Sequence, residues 1–283
     1  MLIEKHEDKC SECMLCVRAC SSGVWHAVDG KSRPVDIDLC NCCSQCIAVC
    51  PCDAISHDGL ETKQIIKVNR NNLNPDVYRD IVLSRRSIRE FKDEPVPREV
   101  IEKIIDLARY SPTASNDQNV AYIVITNKRL IEEAADYIFG FAIRVHDKTK
   151  KGIGRFLVNI TGLANNRYLK KMDYYRKLHA EKGRDFVLHN APILILIHAP
   201  GKKPFASDNC NIAATTMINY AHALGLGTCF IGFLTLALHF SGKLRKKLGV
   251  PENRKVYATL VMGYSAYRYA KTVARKNPEV QWL

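Results

Sequence analysis

CSECMLCVRAC (residues 10–20) and CNCCSQCIAVC (residues 40–50) decide what the first part of this chain is. Cys10, Cys13, Cys16 and Cys20 recur as Cys40, Cys43, Cys46 and Cys50, a shift of 30 at every position. Such a repeat implies two copies of one small unit related by a pseudo-twofold axis. Each copy reads C-x2-C-x2-C-x3-C, and the second ends in Cys50-Pro51. Three closely spaced thiolates can grip three corners of an iron–sulfur cubane, while the fourth cysteine of the run ligates the other cluster. The spacing assigns Cys10, Cys13, Cys16 and Cys50 to one 4Fe–4S cluster, and Cys40, Cys43, Cys46 and Cys20 to a second. Zinc sites usually pair two separated C-x2-C arms around one tetrahedral ion, and four cysteines within eleven residues, twice over, fit that poorly. Cys42 and Cys52 are left spare by this register, and Ser21 stands after Cys20 where proline follows Cys50.

Ten of the 12 cysteines lie between Cys10 and Cys52. The first residues, MLIEKHEDKC, are charged and lack the apolar stretch of a secretory signal. A reducing cytoplasm with metal-binding thiolates is therefore expected, not a disulfide scaffold. The formal charge of +13 is uneven: residues 1–70 carry 8 Lys/Arg against 10 Asp/Glu, and the rest carries 34 against 19. A basic second part favours anionic cofactors and substrates or an acidic electron donor. No nucleic-acid reading motif accompanies the charge, so nucleic acid is not an expected partner.

Asn209–Gly242 contains no Lys, Arg, Asp or Glu, which is longer than the ~20 residues of a membrane span. Asparagines, histidines and three glycines interrupt it, so a buried helix followed by a buried loop is expected, and no membrane.

Asn69, Asn71, Asn72 and Asn74 before Pro75 read as a linker, which divides the chain into 1–68 and 74–283. The patterns predict helices over Asp76–Leu83 and Arg98–Tyr110, the latter with Val100, Ile101, Ile104, Ile105 and Ala108 on one face. Val120–Thr126 reads as a strand and Pro192–Ala199 as a buried one. Ser207 or Asp208 can cap a helix with the stripe Cys210, Ala214, Met217, Ala221 and Leu224, ended by Gly225. A last strand covers Val256–Met262 and precedes a basic tail. Residues 139–188 are weakly periodic and read as a helical cover over the active site. Gly152 and Gly154 read as a turn. Gly225 and Gly227 lack the third glycine of a dinucleotide fingerprint. Cys210 and Cys229 read as core residues.

SRRSIREF (residues 84–91) puts Arg85, Arg86 and Arg89 with the Ser87 hydroxyl into five residues. Guanidiniums suit a phosphate and can donate to flavin pyrimidine oxygens; taken alone, the run could equally be a solvated basic helix end. It is followed by PTASNDQN (112–119), ALGLGTCFIGF (223–233) and LGVPENRKVYATLVMGY (248–264).

In order and spacing these stretches resemble the nitroreductase family over about residues 76–283, outside 139–188. Residues 6–58 resemble the bacterial two-cluster ferredoxins, and the whole is similar to ferredoxin–nitroreductase fusions. The resemblance implies an α+β fold: a small ferredoxin-like domain, then a three-layer domain with a central, mainly antiparallel sheet flanked by helices. It implies FMN, held by Arg85, Arg86, Ser87 and Arg89 at the phosphate and pyrimidine edge. Ile231 and Gly232 match the loop beside flavin N5, and Arg275 and Lys276, with Lys271 as the alternative, match the basic tail at the phosphate. It further implies a homodimer in which Thr113 and Asn116 reach the flavin of the partner subunit and Tyr264–Trp282 wraps that partner. Where the family usually reads Gln-Pro-Trp, this chain has Gln118, Asn119 and Val120.

The expected function is an FMN- and iron–sulfur-dependent oxidoreductase. Clusters that pass single electrons are joined to a flavin that stores two, fed by an external one-electron donor such as a ferredoxin. The acceptor would be a small electron-poor molecule of the nitro, quinone or enone class. Two other readings stay open: an NAD(P)H-oxidising flavoenzyme that exports electrons through the clusters, and an electron-transfer adaptor for a partner protein. No side-chain acid or base is identified.

Overall fold

In the computed structural model residues 1–149, 171–183 and 185–283 are described, and they fall into two units. One comprises Met1–Asn74 together with Thr113–Gln118, the other Pro75–Pro112 with Asn119–Leu283.

The first unit carries β1 (Ile3–Lys5), β2 (Trp25–Val28), β3 (Lys31–Pro34) and β4 (Ile55–His57). β1 pairs antiparallel with β4, and β2 with β3. Two five-residue helices, Leu15–Ala19 and Gln45–Val49, follow the two cysteine loops at matching positions. The 30-residue repeat extends to the backbone. Glu12 and Cys42, Met14 and Ser44, and Gly23 and Asp53 all take positive φ, between 51° and 74°. Five of these six are not glycine, and a left-handed non-glycine residue costs of order 1 kcal/mol or more. The cost is repeated in both halves, so it belongs to a loop geometry the cysteine spacing requires. A small core of Ile3, Cys16, Val24, Trp25 and Ile55 lies beneath these loops.

The second unit is built on β5 (Ala121–Ile125), β6 (Ile193–Pro200), β7 (Leu226–Phe230) and β8 (Arg254–Tyr264). They form one antiparallel sheet in the order β5-β6-β8-β7. β6 reads as an unbroken apolar run because both of its faces are covered. Side chains alternate across a strand: Leu194 and Leu196 enter one core, and Ile193, Ile195 and Ile197 the other. The first core holds Ile131, Ala134, Ala135 and Ile138 of the helix Lys128–Thr149, with Leu234 and Leu238 of the helix Gly232–Phe240. The opposite core holds Ile101 and Ile104 of the helix Arg98–Ala108, with Cys210, Ala214 and Met217 of the helix Ala206–Ala223. Three layers result, as a sheet with two apolar faces demands.

Several details differ from the sequence expectations. The helix Ala206–Ala223 starts two to three residues earlier than a Ser207 or Asp208 cap would allow. Its N-cap is Phe205, at φ 57°, with no side-chain cap, and Ser207 and Asp208 lie inside the first turn. Leu224 is the C-cap and 37% exposed, so it is not part of the buried stripe. The expected buried loop after Gly225 is instead strand β7 followed by the helix Gly232–Phe240. Of the presumed cover, residues 139–149 continue the helix that begins at Lys128, and a second helix spans Met172–Lys182. Residues 150–170, with Gly152 and Gly154, lie outside the described residues. Among the described residues no helix is long and apolar enough to cross a membrane. Residues beyond Ser265 have no regular structure and are exposed.

Candidate functional site

The eight cysteines of the repeat surround two cavities. Cys10, Cys13, Cys16 and Cys50 line one, with Lys5 and Cys52. Cys20, Cys40, Cys43 and Cys46 line the other, with Trp25 and His57. Both are partly open to solvent. None of the twelve cysteines is paired in a disulfide. Mononuclear zinc would need its thiolates ~3.8 Å apart, given Zn–S bonds of ~2.3 Å in a tetrahedron. Among the described residues only Cys40, Cys42 and His57 bring three potential metal-binding atoms within 4.8 Å of one another. Neither set of four is gathered in that way. Each is splayed around a space, as a polynuclear cluster requires.

Backbone amides turn toward the sulfurs. Val24 N–H donates to Cys20 Sγ and Ala54 N–H to Cys50 Sγ, each at 3.3 Å, in matching positions of the repeat. The buried Trp25 indole N–H makes no close hydrogen bond among the described residues. It lies beside Cys46, whose thiol burial pushes up against the pull of that indole. The indole N–H thus faces a cavity lined by thiol sulfurs. Cys13 is shifted the other way, its thiol lowered first by the Leu15 backbone N–H. Beside the first cavity the nearly buried Lys5 ammonium binds Glu12 at 2.5 Å and Glu7 at 3.1 Å. The Glu12 carboxyl is held at about 2 by Lys5 and by the Ser32 N–H. Neither Trp25 nor His57 stands out in the sequence; their closeness to Cys20 and Cys50 along the chain was the available signal.

In the second unit, Ser84–Lys92 runs along the open edge of β7 and past the end of β8. Ile88 N–H donates to Thr228 O at 2.9 Å, and Lys92 N–H to Tyr264 O at 2.8 Å. Ser87 bridges to Thr228, and Phe91 to Ser265. This anchoring makes a cationic corner. The Arg85 guanidinium is lowered by burial first, and then by the like charges of Arg86 and Arg275. Arg86 Nε is buried with no partner among the described residues. Three guanidiniums within electrostatic reach, one with an orphaned donor, need an anion to balance them. His222 completes the corner: its Nε2 is 2.8 Å from Ser84 Oγ, and burial, then Arg85 and Arg86, hold it below its ordinary value. Arg85 and Arg86 are half-buried, whereas Arg89, Arg275 and Lys276 are exposed.

Ile231 is buried and spent on the fold, its N–H bonded to Thr259 O and its carbonyl accepting from Thr259 Oγ1 at 2.6 Å. Gly232 opens the next helix, so its N–H has no intrahelical partner. A Cβ there would meet nothing within 4 Å. Of the two, Gly232 can present backbone to a ligand. Thr113 and Asn116 belong to the first unit. Thr113 Oγ1 accepts from Gln118 N–H at 3.1 Å, and the Asn116 amide donates to Asn41 O at 2.9 Å. Asn119 is held by its carbonyl, which accepts from Arg254 Nη2, and Arg254 Nε also donates to His198 Nδ1 at 2.6 Å. The Asn119 that departs from the usual pattern is therefore part of a fixed polar network.

Residues 82–264 match the nitroreductase family, and the chain belongs to it. It is 24% identical over 202 residues to the chloronitrobenzene nitroreductase of Comamonas testosteroni, covering 66% of this chain and 86% of that one. It is 24% identical over 240 residues to human (Homo sapiens) iodotyrosine deiodinase 1, covering 79% and 71% respectively. In fold it is similar to a nitroreductase with bound FMN from Bacteroides fragilis, with a TM-score of 0.55 at 20% identity, covering 75% of this chain and 100% of that chain.

Proposed function

We propose that the chain is an FMN-dependent oxidoreductase whose two 4Fe–4S clusters carry single electrons to or from the flavin, for reduction of a small electron-poor acceptor of the nitro, quinone or enone class. The observation that carries this reading is the pair of four-cysteine cavities in a chain that also belongs to the nitroreductase family. The bound FMN of the Bacteroides fragilis relative supports the choice of flavin.

When bound, the flavin would store two electrons supplied singly by the clusters and release them as a pair. The protein's own contribution is binding, charge and exclusion of water. Arg85, Arg86 and Arg275 offer a balanced place for a phosphate, with Ser87 as a further donor. Positive charge in that corner favours anionic forms of the bound ring. The Gly232 amide, at a helix start where the dipole is positive, offers a donor with no side chain in the way. The eight repeat cysteines hold the clusters, with Val24 and Ala54 amides supporting one sulfur in each half. The active form is a homodimer, as expected from the resemblance.

Anaerobic purification followed by iron, sulfide and flavin assay tests the composition. Mixing with reduced ferredoxin, and separately with NADH, tests the direction. Bleaching of the flavin band by reduced ferredoxin, slow with NADH alone, is expected. Zinc in place of iron and sulfide, or absence of flavin, overturns the proposal.

A further inference from the structure

We propose that His57 makes the two clusters unequal, donating a hydrogen bond to Cys40 and so raising the reduction potential of the cluster held by Cys20, Cys40, Cys43 and Cys46. The inference rests on the cluster reading given above and concerns one residue that the cysteine motif does not contain.

The ring's roles are fixed by its surroundings. Gly59 N–H donates to His57 Nδ1 at 3.0 Å, so Nδ1 is the acceptor and the proton of the neutral imidazole sits on Nε2. Nε2 is 3.4 Å from Cys40 Sγ, within the longer range of a bond to sulfur. His57 is only 5% exposed, so water does not compete for that proton. Gly59 makes the arrangement possible: a Cβ at 59 would lie 3.0 Å from His57 Cε1. Cys42 N–H reaches the same sulfur at 3.4 Å.

The repeat shows that this is not shared. Val24 to Cys20 and Ala54 to Cys50 are mates across the pseudo-twofold. The residue 30 before His57 is Ala27, which has no side-chain donor, and the residue 30 before Cys42 is Glu12. Among the described residues no comparable contact reaches Cys10. Beside the first cavity Lys5 pairs with Glu12 and Glu7, and the Arg18 guanidinium donates to Cys13 O at 3.3 Å, so two cations face two carboxylates there. Donors at a cluster's sulfurs stabilise the added electron and raise its potential, whereas nearby negative charge lowers it. The buried His57 donor acts on the Cys40 cluster alone, so electrons should rest there.

The test uses the full-length protein prepared anaerobically, as wild type, His57→Leu and His57→Gln. Iron and sulfide are measured first: a wild type without them defeats the cluster reading itself. With clusters present, an EPR-monitored redox titration is expected to resolve two potentials. In His57→Leu the higher one falls, by about a tenfold change in the reduced-to-oxidised ratio at fixed ambient potential, or ~59 mV for one electron. The other potential stays, and His57→Gln, which keeps an N–H donor, recovers part of the loss. Unchanged potentials in His57→Leu would overturn the inference. If the leucine variant fails to hold its clusters, wild type labelled with 15N-histidine decides. A weak 15N coupling to one reduced cluster supports the hydrogen bond. No coupling, one large enough for a direct nitrogen–iron bond, or a zinc equivalent bound through His57 refutes it.

Discussion

Gly227→Ala tests how the cationic corner is held. Gly227 lies in β7 beside Ile88, the residue that follows Arg85, Arg86 and Ser87. A Cβ at 227 would stand 2.6, 2.8 and 2.9 Å from Ile88 Cγ1, Cβ and Cγ2. Carbon atoms rest at ~3.5–4.0 Å, so Ile88 must withdraw by about 1 Å. Its backbone bond to Thr228 O, 2.9 Å long, would then open past the useful range. Overpacking of this kind costs about 1–3 kcal/mol, and the lost backbone bond about 1 more. A unit of this size loses roughly 2–4 °C in Tm per kcal/mol, which sets the expected drop at about 5–15 °C. The displacement also moves the neighbouring arginines, so flavin should leave at lower temperature than in wild type. Differential scanning fluorimetry of flavin release, alongside far-UV circular dichroism, reads both. Ile88→Ala in the same chain should restore part of the loss, since it removes two of the three offending atoms. A Gly227→Ala protein that melts with the wild type and keeps its flavin would refute the reasoning.

Gly232→Ala is the counterpart: with nothing within 4 Å of the new Cβ, flavin-free protein should melt unchanged, while FMN affinity measured by fluorescence quenching falls. Arg86→Leu removes the orphaned donor and should weaken FMN about 10–100-fold, the worth of a charged hydrogen bond; full affinity in the same titration would count against the phosphate assignment. His198 is buried beside Arg254 and held at about 4, below the ~6.5 of an unfolded histidine. The unfolded chain thus binds more protons between those values, and this contribution, of order 3 kcal/mol, is present above about pH 6.5 and lost as the pH falls toward 4. Urea melts at pH 7.5, 5.5 and 4.5 should show that decline, and a His198→Asn protein should show less of it. Cys210 and Cys229 are buried, Cys210 with its thiol pushed up to about 12. Iodoacetamide at pH 8 should leave both unlabelled until denaturant is added, as mass spectrometry would report.

What the sequence made legible was whatever had a strong period or spacing. β6 is an unbroken run of aliphatics because both of its faces are buried, and the helix Ala206–Ala223 shows its apolar stripe plainly. The helix Lys128–Thr149 escaped notice because much of its inward face is alanine: Ala134, Ala135 and Ala142 bury fully with little hydrophobic contrast. β7 was hidden by Gly227, a poor strand residue kept for close approach to Ile88. Phe205 could not be foreseen as an N-cap, since its left-handed backbone is imposed by the tertiary structure. At the site, the cysteine spacing and the arginine run located both regions. The supporting groups around them, His57, Trp25 and His222, carry no local signature, and only the folded chain brings them there.

The grouping of Thr113–Gln118 with the first seventy-four residues has a practical side. These six residues are encoded amid the flavin-family sequence, yet Asn116 and Ser115 exchange hydrogen bonds with Asn41, next to a cysteine of the second cavity. Cutting the gene at the asparagine-rich linker would not yield two independent modules. The shorter product would leave Asn41 without its companions, and the longer would carry a hexapeptide evicted from its home. Anyone transplanting this cysteine-rich unit onto another protein would have to bring that borrowed loop along.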